Sequence, residues 1–290
     1  MSKRKVTMAI AYDFDGTLAP GNMQERQFLP DINESPKDFW AEASDIAKKE
    51  QADDVLVYMN LMLRKAREKS VPIRRKDFKK CGESIEFFEG VPEWFGRLNE
   101  YAKGKGIDLK HYLISSGNAE IFAGTRIAKC FEAVYASKYL FDENDVAQWP
   151  ALAINYTTKT QFLFRINRGA KDISDNTAVN KYIKKEERPV PFENMVFIGD
   201  GATDIPCFRL VKEQGGLSVA VYAPKKKGGK DKADQYQKDG RVHAVLPANY
   251  TEGSELDRII KARIDLVASR HVLDGLLTKG TTGGSPHGLM

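Results

Sequence analysis

The stretch Val6-Thr7-Met8-Ala9-Ile10-Ala11-Tyr12-Asp13-Phe14-Asp15-Gly16-Thr17 decides how the chain reads. Seven mostly apolar residues end abruptly in a polar cluster, which predicts a short buried strand followed by a turn. Two carboxylates two residues apart in such a turn can converge on one hard cation. A bland alternative stands beside this, because Asp and Gly are common turn residues whose side chains bond the backbone. In an open parallel sheet, ligands bind beyond the carboxyl ends of the strands, where Asp13 and Asp15 fall.

Outward from this stretch, two patterns divide the chain. Residues 36–50, 52–69, 75–88 and 92–103 read as helices, and Ser35-Pro36-Lys37-Asp38 looks like a helix start. In the second helix Val55, Met59, Met62, Leu63 and Ala66 share one face. From about residue 107 strands and helices alternate: strands at 109–114, 133–137, 195–198 and 217–222, helices at 118–129, 158–167, 203–212 and 254–272, and a hairpin or loop at 139–155. Such alternation predicts an α/β fold, a Rossmann-like parallel sheet with helices on both faces. One strand precedes residue 20 and the others follow residue 105, so the core is expected to be discontinuous. It comprises 1–19 and 91–275, interrupted by an α-helical cap domain at 20–90 and followed by a flexible tail at 276–290. The Lys-rich segment 224–240 reads as a solvated loop.

Three more constellations sit where strands are expected to end. Ile198-Gly199-Asp200-Gly201-Ala202-Thr203-Asp204-Ile205 follows an apolar run and opens a helix. Asp204 suits a helix N-terminus, whereas Asp200 in a Gly turn calls for a partner. With Asp13 and Asp15, Asp200 and Asp204 make four aspartates at two strand ends, a plausible oxygen-ligand Mg²⁺ site. Ser115-Ser116-Gly117-Asn118 offers hydroxyls and backbone N–H groups of the kind that hold a phosphate oxygen. Lys159 falls near a helix start, where a cation is mildly unfavourable.

In this order the four constellations resemble the motifs of the haloacid dehalogenase-like (HAD) hydrolase superfamily. Asp13, Asp15 and Thr17 match its Asp-x-Asp-x-Thr motif, Ser115 its strand-end Ser or Thr, Lys159 its Lys, and Gly199, Asp200 and Asp204 its Gly-Asp-x-x-x-Asp motif. The first and last are specific, and the middle two only support them. The insertion resembles the helical cap of the phosphoserine-phosphatase-like type. The resemblance implies that Asp13 is the nucleophile and Asp15 the general acid and base. It implies Mg²⁺ held by Asp13, the Asp15 carbonyl and Asp200, with Asp204 supporting, and a phosphate site of Thr17, Ser115, Ser116, Gly117 and Lys159. Dehalogenases and ion-pumping ATPases lack a carboxylate two residues after the nucleophile, so Asp15 points to the phosphatase and mutase branches. The expectation is a Mg²⁺-dependent phosphatase acting on a small phosphorylated metabolite through an aspartyl-phosphate. A phosphomutase or phosphotransferase, and a non-catalytic phospho-sensing module, are the alternatives.

Composition narrows the field without choosing within it. The 290 residues are 42% hydrophobic and 29% charged, enough for a sizeable core. A net charge of +5 does not demand nucleic acid. Cys81, Cys130 and Cys207 stand alone, which speaks against zinc, iron–sulfur and disulfide frameworks and for a reduced cytoplasmic setting. No apolar run has the length of a signal peptide or a membrane span. No histidine lies in a motif, and Trp40, Trp94 and Trp149 read as packing residues ahead of pocket walls. Oligomeric state is left open.

Overall fold

The computed structural model describes residues 6–225 and 228–281. After β1 (Val6–Tyr12) come five helices: α1 (Phe28–Asp31), α2 (Pro36–Glu50), α3 (Asp54–Glu68), α4 (Arg75–Glu83) and α5 (Val91–Gly104). The chain continues through β2 (Ile107–Asn118), α6 (Ala119–Phe122), β3 (Ala133–Phe141), β4 (Ala147–Leu152), α7 (Tyr156–Arg168) and α8 (Asn176–Asn180). It closes with β5 (Met195–Gly199), α9 (Ile205–Glu213), β6 (Leu217–Tyr222), α10 (Gly229–Lys238), β7 (Ala244–Pro247) and α11 (Glu255–Thr281).

The seven strands lie in the order β4-β3-β2-β1-β5-β6-β7. All pairs are parallel except β3 with β4, the antiparallel hairpin at one edge. From β1 the chain builds outward through β2 and β3 on one side, then through β5, β6 and β7 on the other. The reversal opens a crevice at the carboxyl ends of β1 and β5, where ligands bind in doubly wound sheets.

β1 is buried on both faces, and its alternation assigns them. Met8, Ile10 and Tyr12 join one apolar cluster with Trp94 and Leu98 of α5 and Ile260 and Ile264 of α11. Ala9 and Ala11 face the other, with Phe162 of α7 and Phe208 of α9. The first cluster runs without a break into the helical segment, taking in Phe28, Phe39, Met59 and Met62. The sequence-predicted face of α3, Val55, Met59, Met62, Leu63 and Ala66, is buried there.

Local chemistry sets the ends of α2 and α3. Ser35 Oγ accepts from the Asp38 N–H at 3.1 Å with Pro36 in the first turn, and Asp53 Oδ1 accepts from the Leu56 N–H at 2.9 Å. Each such cap is worth about 1 kcal/mol, and together they fix where the two helices begin on either side of the 51–53 connection.

Several expectations are corrected. The helix predicted over 118–129 is only α6 and a short 3₁₀ turn at Ala128–Cys130, and β2 runs on to Asn118. The 224–240 loop contains α10, whose Ala233 and Tyr236 are buried. α11 continues to Thr281, so residues 276–281 of the expected tail are helical; 282–290 lie outside the described residues. β7 and α8 had no counterpart in the sequence reading. Among the described residues no helix is long and apolar enough to cross a membrane.

Candidate active site

β1 carries its last residue, Tyr12, to the crevice, and the Asp13 N–H then donates to the Ile198 carbonyl of β5 at 2.9 Å. That bond ties the two strand ends together and sets Asp13 between them. The chain turns at once: the N–H groups of Thr17 and Leu18 return to the Phe14 carbonyl at 3.1 and 2.8 Å. Gly16 adopts φ +79°, and a Cβ there would lie 2.2 Å from Asp200 Oδ2. Only glycine accepts that backbone easily and leaves room for the Asp200 carboxylate. Asp15 is held by the Met23 N–H, which donates to its Oδ1 at 2.8 Å.

The other strand ends complete the floor. At the end of β2, Ser115 is fully buried and its Oγ accepts from the Gly117 N–H at 3.0 Å. The Ser116 carbonyl accepts from the Tyr58 hydroxyl of α3 at 2.7 Å. Ser116 Oγ is buried with no hydrogen-bond partner among the described residues. Past β5, Asp204 Oδ2 accepts from the N–H groups of Asp200 (3.1 Å) and Gly201 (3.0 Å). Its Oδ1 accepts from Lys159 Nζ at 2.7 Å. The same ammonium donates to Asp13 Oδ1 at 2.9 Å. Lys159, on α7, has no exposed surface, so this cation sits wholly inside the protein between two carboxylates.

Charge and burial shape the titration of the group. Burial pushes the Asp13 carboxyl up to about 6, against the downward pull of Lys159. Asp15 is raised well above the ordinary carboxylate range, first by burial and then by the negative charge of Asp13. Burial alone lowers the Lys159 ammonium, but Asp13 and Asp204 outweigh it and hold the group above its ordinary value. The physical picture is a firmly charged lysine beneath a nucleophile-like carboxylate, beside a second carboxyl that favours its protonated form.

Asp13, Asp200 and Asp204 each bring a carboxylate oxygen within 4.8 Å of the others. The donors are all hard oxygens, which fits Mg²⁺. Asp204 also serves Lys159 and two N–H groups, and Asp13 and Asp200 complete the acidic cluster. The metal contact expected of Asp15 is its backbone carbonyl; its side chain lies outside this cluster and is engaged with Met23.

Above the floor is a cavity of about 610 Å³. Asp13, Asp15, Ser115, Ser116, Gly117 and Asp200 line its base, and residues of α2 and α3 form the opposing wall. A volume of this order accommodates a small metabolite.

The haloacid dehalogenase-like hydrolase family model matches residues 10–209, well over half of the chain. The chain belongs to this family. A second protein, an uncharacterized protein of Borreliella burgdorferi, is 27% identical over 294 residues, covering 92% of this chain and 99% of its own. Solved structures of the same fold include a HAD-family hydrolase from Salmonella enterica, with TM-score 0.55 and 14% identity over 87% of this chain and 69% of that one. A substrate-bound phosphoserine phosphatase matches with TM-score 0.52 and 16% identity over 89% and 99% of the two chains. A probable phosphoserine phosphatase from Vibrio cholerae gives 0.54 and 14% over 92% and 67%. At these identities the likeness is one of fold.

Against that fold, the HAD motif residues divide by depth. Six of the nine anticipated positions reach the cavity, while Thr17, Lys159 and Asp204 lie beneath it. Thr17 is fully buried, and its carbonyl accepts from the Tyr250 hydroxyl at 2.7 Å. It supports the turn and does not line the cavity, and its Oγ1 is buried with no hydrogen-bond partner among the described residues. Lys159 meets Asp13 from below and likewise does not line the cavity. Sequence reasoning missed Asn22, Gln24, Asp54 and Tyr58 as wall residues, and it read Trp40 as packing. Gln24 Nε2 donates to Asn118 Oδ1 at 2.8 Å, a second tie, after Tyr58, between the helical segment and the end of β2. Trp94 is buried as expected, and Trp149 is 62% exposed.

Proposed function

We propose that this HAD hydrolase is a Mg²⁺-dependent phosphatase of small phosphorylated metabolites, acting through an aspartyl-phosphate on Asp13. The observation that carries the reading is the pair Asp13 and Asp15. One carboxylate is braced by a buried lysine, and two residues on stands a second carboxyl whose surroundings favour its proton.

The Asp13 oxygen not engaged by Lys159 would attack phosphorus while the ester P–O bond breaks and Asp15 gives its proton to the leaving oxygen. A water would then attack the phosphoryl group, Asp15 would take back a proton, and inorganic phosphate would leave with Asp13 restored. Asp15 suits both halves because burial and the neighbouring charge bring its proton affinity toward the working range. Ser116 Oγ and the backbone at the end of β2 would receive phosphoryl oxygens, and Lys159 would keep Asp13 ionised and aimed. Mg²⁺ held by Asp13 and Asp200, with the Asp15 carbonyl as the family resemblance implies, supplies positive charge between carboxylate and phosphate when bound. Segment 20–90 would act as the cap that excludes bulk water. A reduced, cytoplasmic setting agrees with the free Cys81, Cys130 and Cys207.

Phosphate release from a panel of metabolite esters tests the reading. EDTA should abolish it and added Mg²⁺ restore it; full turnover without a divalent cation contradicts the role given to Asp200.

A further inference from the structure

The wall opposite the catalytic floor has a composition of its own. Trp40, Ala43 and Ala47 of α2, Ala52 of the connection and Val55 of α3 make it apolar. Among the described residues that line the cavity, Lys48 is the only cation. It is an exposed residue, and the same wall also carries the carboxylate of Asp54. No arginine lines the cavity, so the planar fork that recognises a carboxylate or a second phosphate in bidentate fashion is missing there.

Trp40 is held in one orientation on this wall. Its Nε1–H donates to Glu25 Oε1 at 2.7 Å. Its ring meets Tyr58 edge-on at 5.4 Å and Phe39 edge-on at 5.1 Å between centroids. An aromatic side chain that is fixed by its neighbours yet reaches a concave pocket is a preorganised stacking surface. Around it, the Ser44 hydroxyl and the Asp54 carboxylate offer acceptors for hydroxyl or N–H groups.

We propose that this cavity selects phosphomonoesters whose leaving alcohol is uncharged and carries a flat ring, such as a nucleoside, and that Trp40 is the residue that selects them. This rests on the phosphatase reading and adds the substrate class to it. The leaving group lies along the apolar wall with its ring on the indole, while its phosphate reaches Asp13. A carboxylate on the leaving group meets Asp54 and finds only the exposed Lys48 to offset it.

The test uses the full chain with Mg²⁺ and reads phosphate release from four compounds: a nucleoside 5′-monophosphate, O-phosphoserine, 3-phosphoglycerate and acetyl phosphate. The expected kcat/KM for the nucleotide exceeds that for the two esters whose leaving groups carry a carboxylate, phosphoserine and phosphoglycerate, by at least about tenfold. Trp40→Ala should raise KM for the nucleotide by about tenfold and Trp40→Phe should restore most of it, since either aromatic ring can stack. The ranking in the unaltered protein needs no variant, so it decides even if Trp40→Ala unfolds. A preference for phosphoserine or phosphoglycerate overturns the proposal, as does a folded Trp40→Ala protein with unchanged nucleotide KM. Acetyl phosphate, whose acetyl group has neither charge nor ring, separates the two levels. Its hydrolysis with the wrong ranking sinks the substrate class alone, and no release from any of the four sinks the phosphatase reading and this class with it.

Discussion

Lys159 Nζ lies 2.9 Å from Asp13 Oδ1, a contact between residues 146 positions apart that is shut away from solvent on the lysine side. β1 and α7 are brought together at this point, and with Asp204 the lysine forms a buried triad. Removing the cation leaves two buried carboxylates without their counter-charge.

Lys159→Met should therefore destabilise the protein as well as silence it. Breaking a buried ion pair from one side costs about 3–5 kcal/mol. Urea unfolding of variant and wild type measures this directly. A stability change within about 0.5 kcal/mol, the usual size at surface positions, would show that the triad is not a buried, mutually dependent set of charges.

Gly16→Ala tests the space that admits Asp200. The positive φ costs an alanine about 1–2 kcal/mol, and the new Cβ would stand 2.2 Å from Asp200 Oδ2. The carboxylate must move. The Mg²⁺ concentration for half-maximal phosphate release should rise about 10–100-fold, as when a metal ligand loses its support. An unchanged Mg²⁺ requirement would mean that Asp200 does not serve the cation.

His111 gives the fold a pH dependence of its own. Its Nδ1 is 2.9 Å from the Tyr12 hydroxyl and its Nε2 3.1 Å from Asn99 Oδ1, and burial lowers its pKa from 6.5 to about 3. Above pH 6.5 the ring is neutral in both folded and unfolded chains and contributes no pH dependence. Below 6.5 the unfolded chain takes up a proton that the folded one refuses, so stability falls as pH drops toward 3. The expected slope from this group is about 1.4 kcal/mol per pH unit. Unfolding free energies between pH 7 and 5 should fall less steeply in His111→Asn than in wild type; parallel curves would contradict the assignment.

Much of the site was legible because its chemistry sits at strand ends. Asp13, Asp200 and Ser115 each follow an apolar run, and a strand that ends in polar residues in a doubly wound sheet points them at one crevice. Depth was not legible. Thr17 and Lys159 belong to the same motifs as the cavity residues, yet the turn around Phe14 and the packing of α7 place them beneath the floor. The wall was hidden for a related reason: Trp40 and Tyr58 sit on amphipathic helices whose apolar faces serve both core and cavity, and periodicity does not separate the two uses. The short α6 has a packing cause. A Cβ on Gly124 would stand 1.7 Å from the Lys79 carbonyl oxygen, so α4 presses on the chain where a longer helix was expected. That contact joins segments 45 residues apart, beyond the reach of local pattern.

The most direct measurement of the central claim is phosphate release by Asp13→Asn beside wild type, with Mg²⁺ present and folding checked by circular dichroism. Wild type should show Mg²⁺-dependent turnover, and a folded Asp13→Asn protein none above background. Turnover that persists in the folded variant would contradict Asp13 as the nucleophile, and with it the aspartyl-phosphate route.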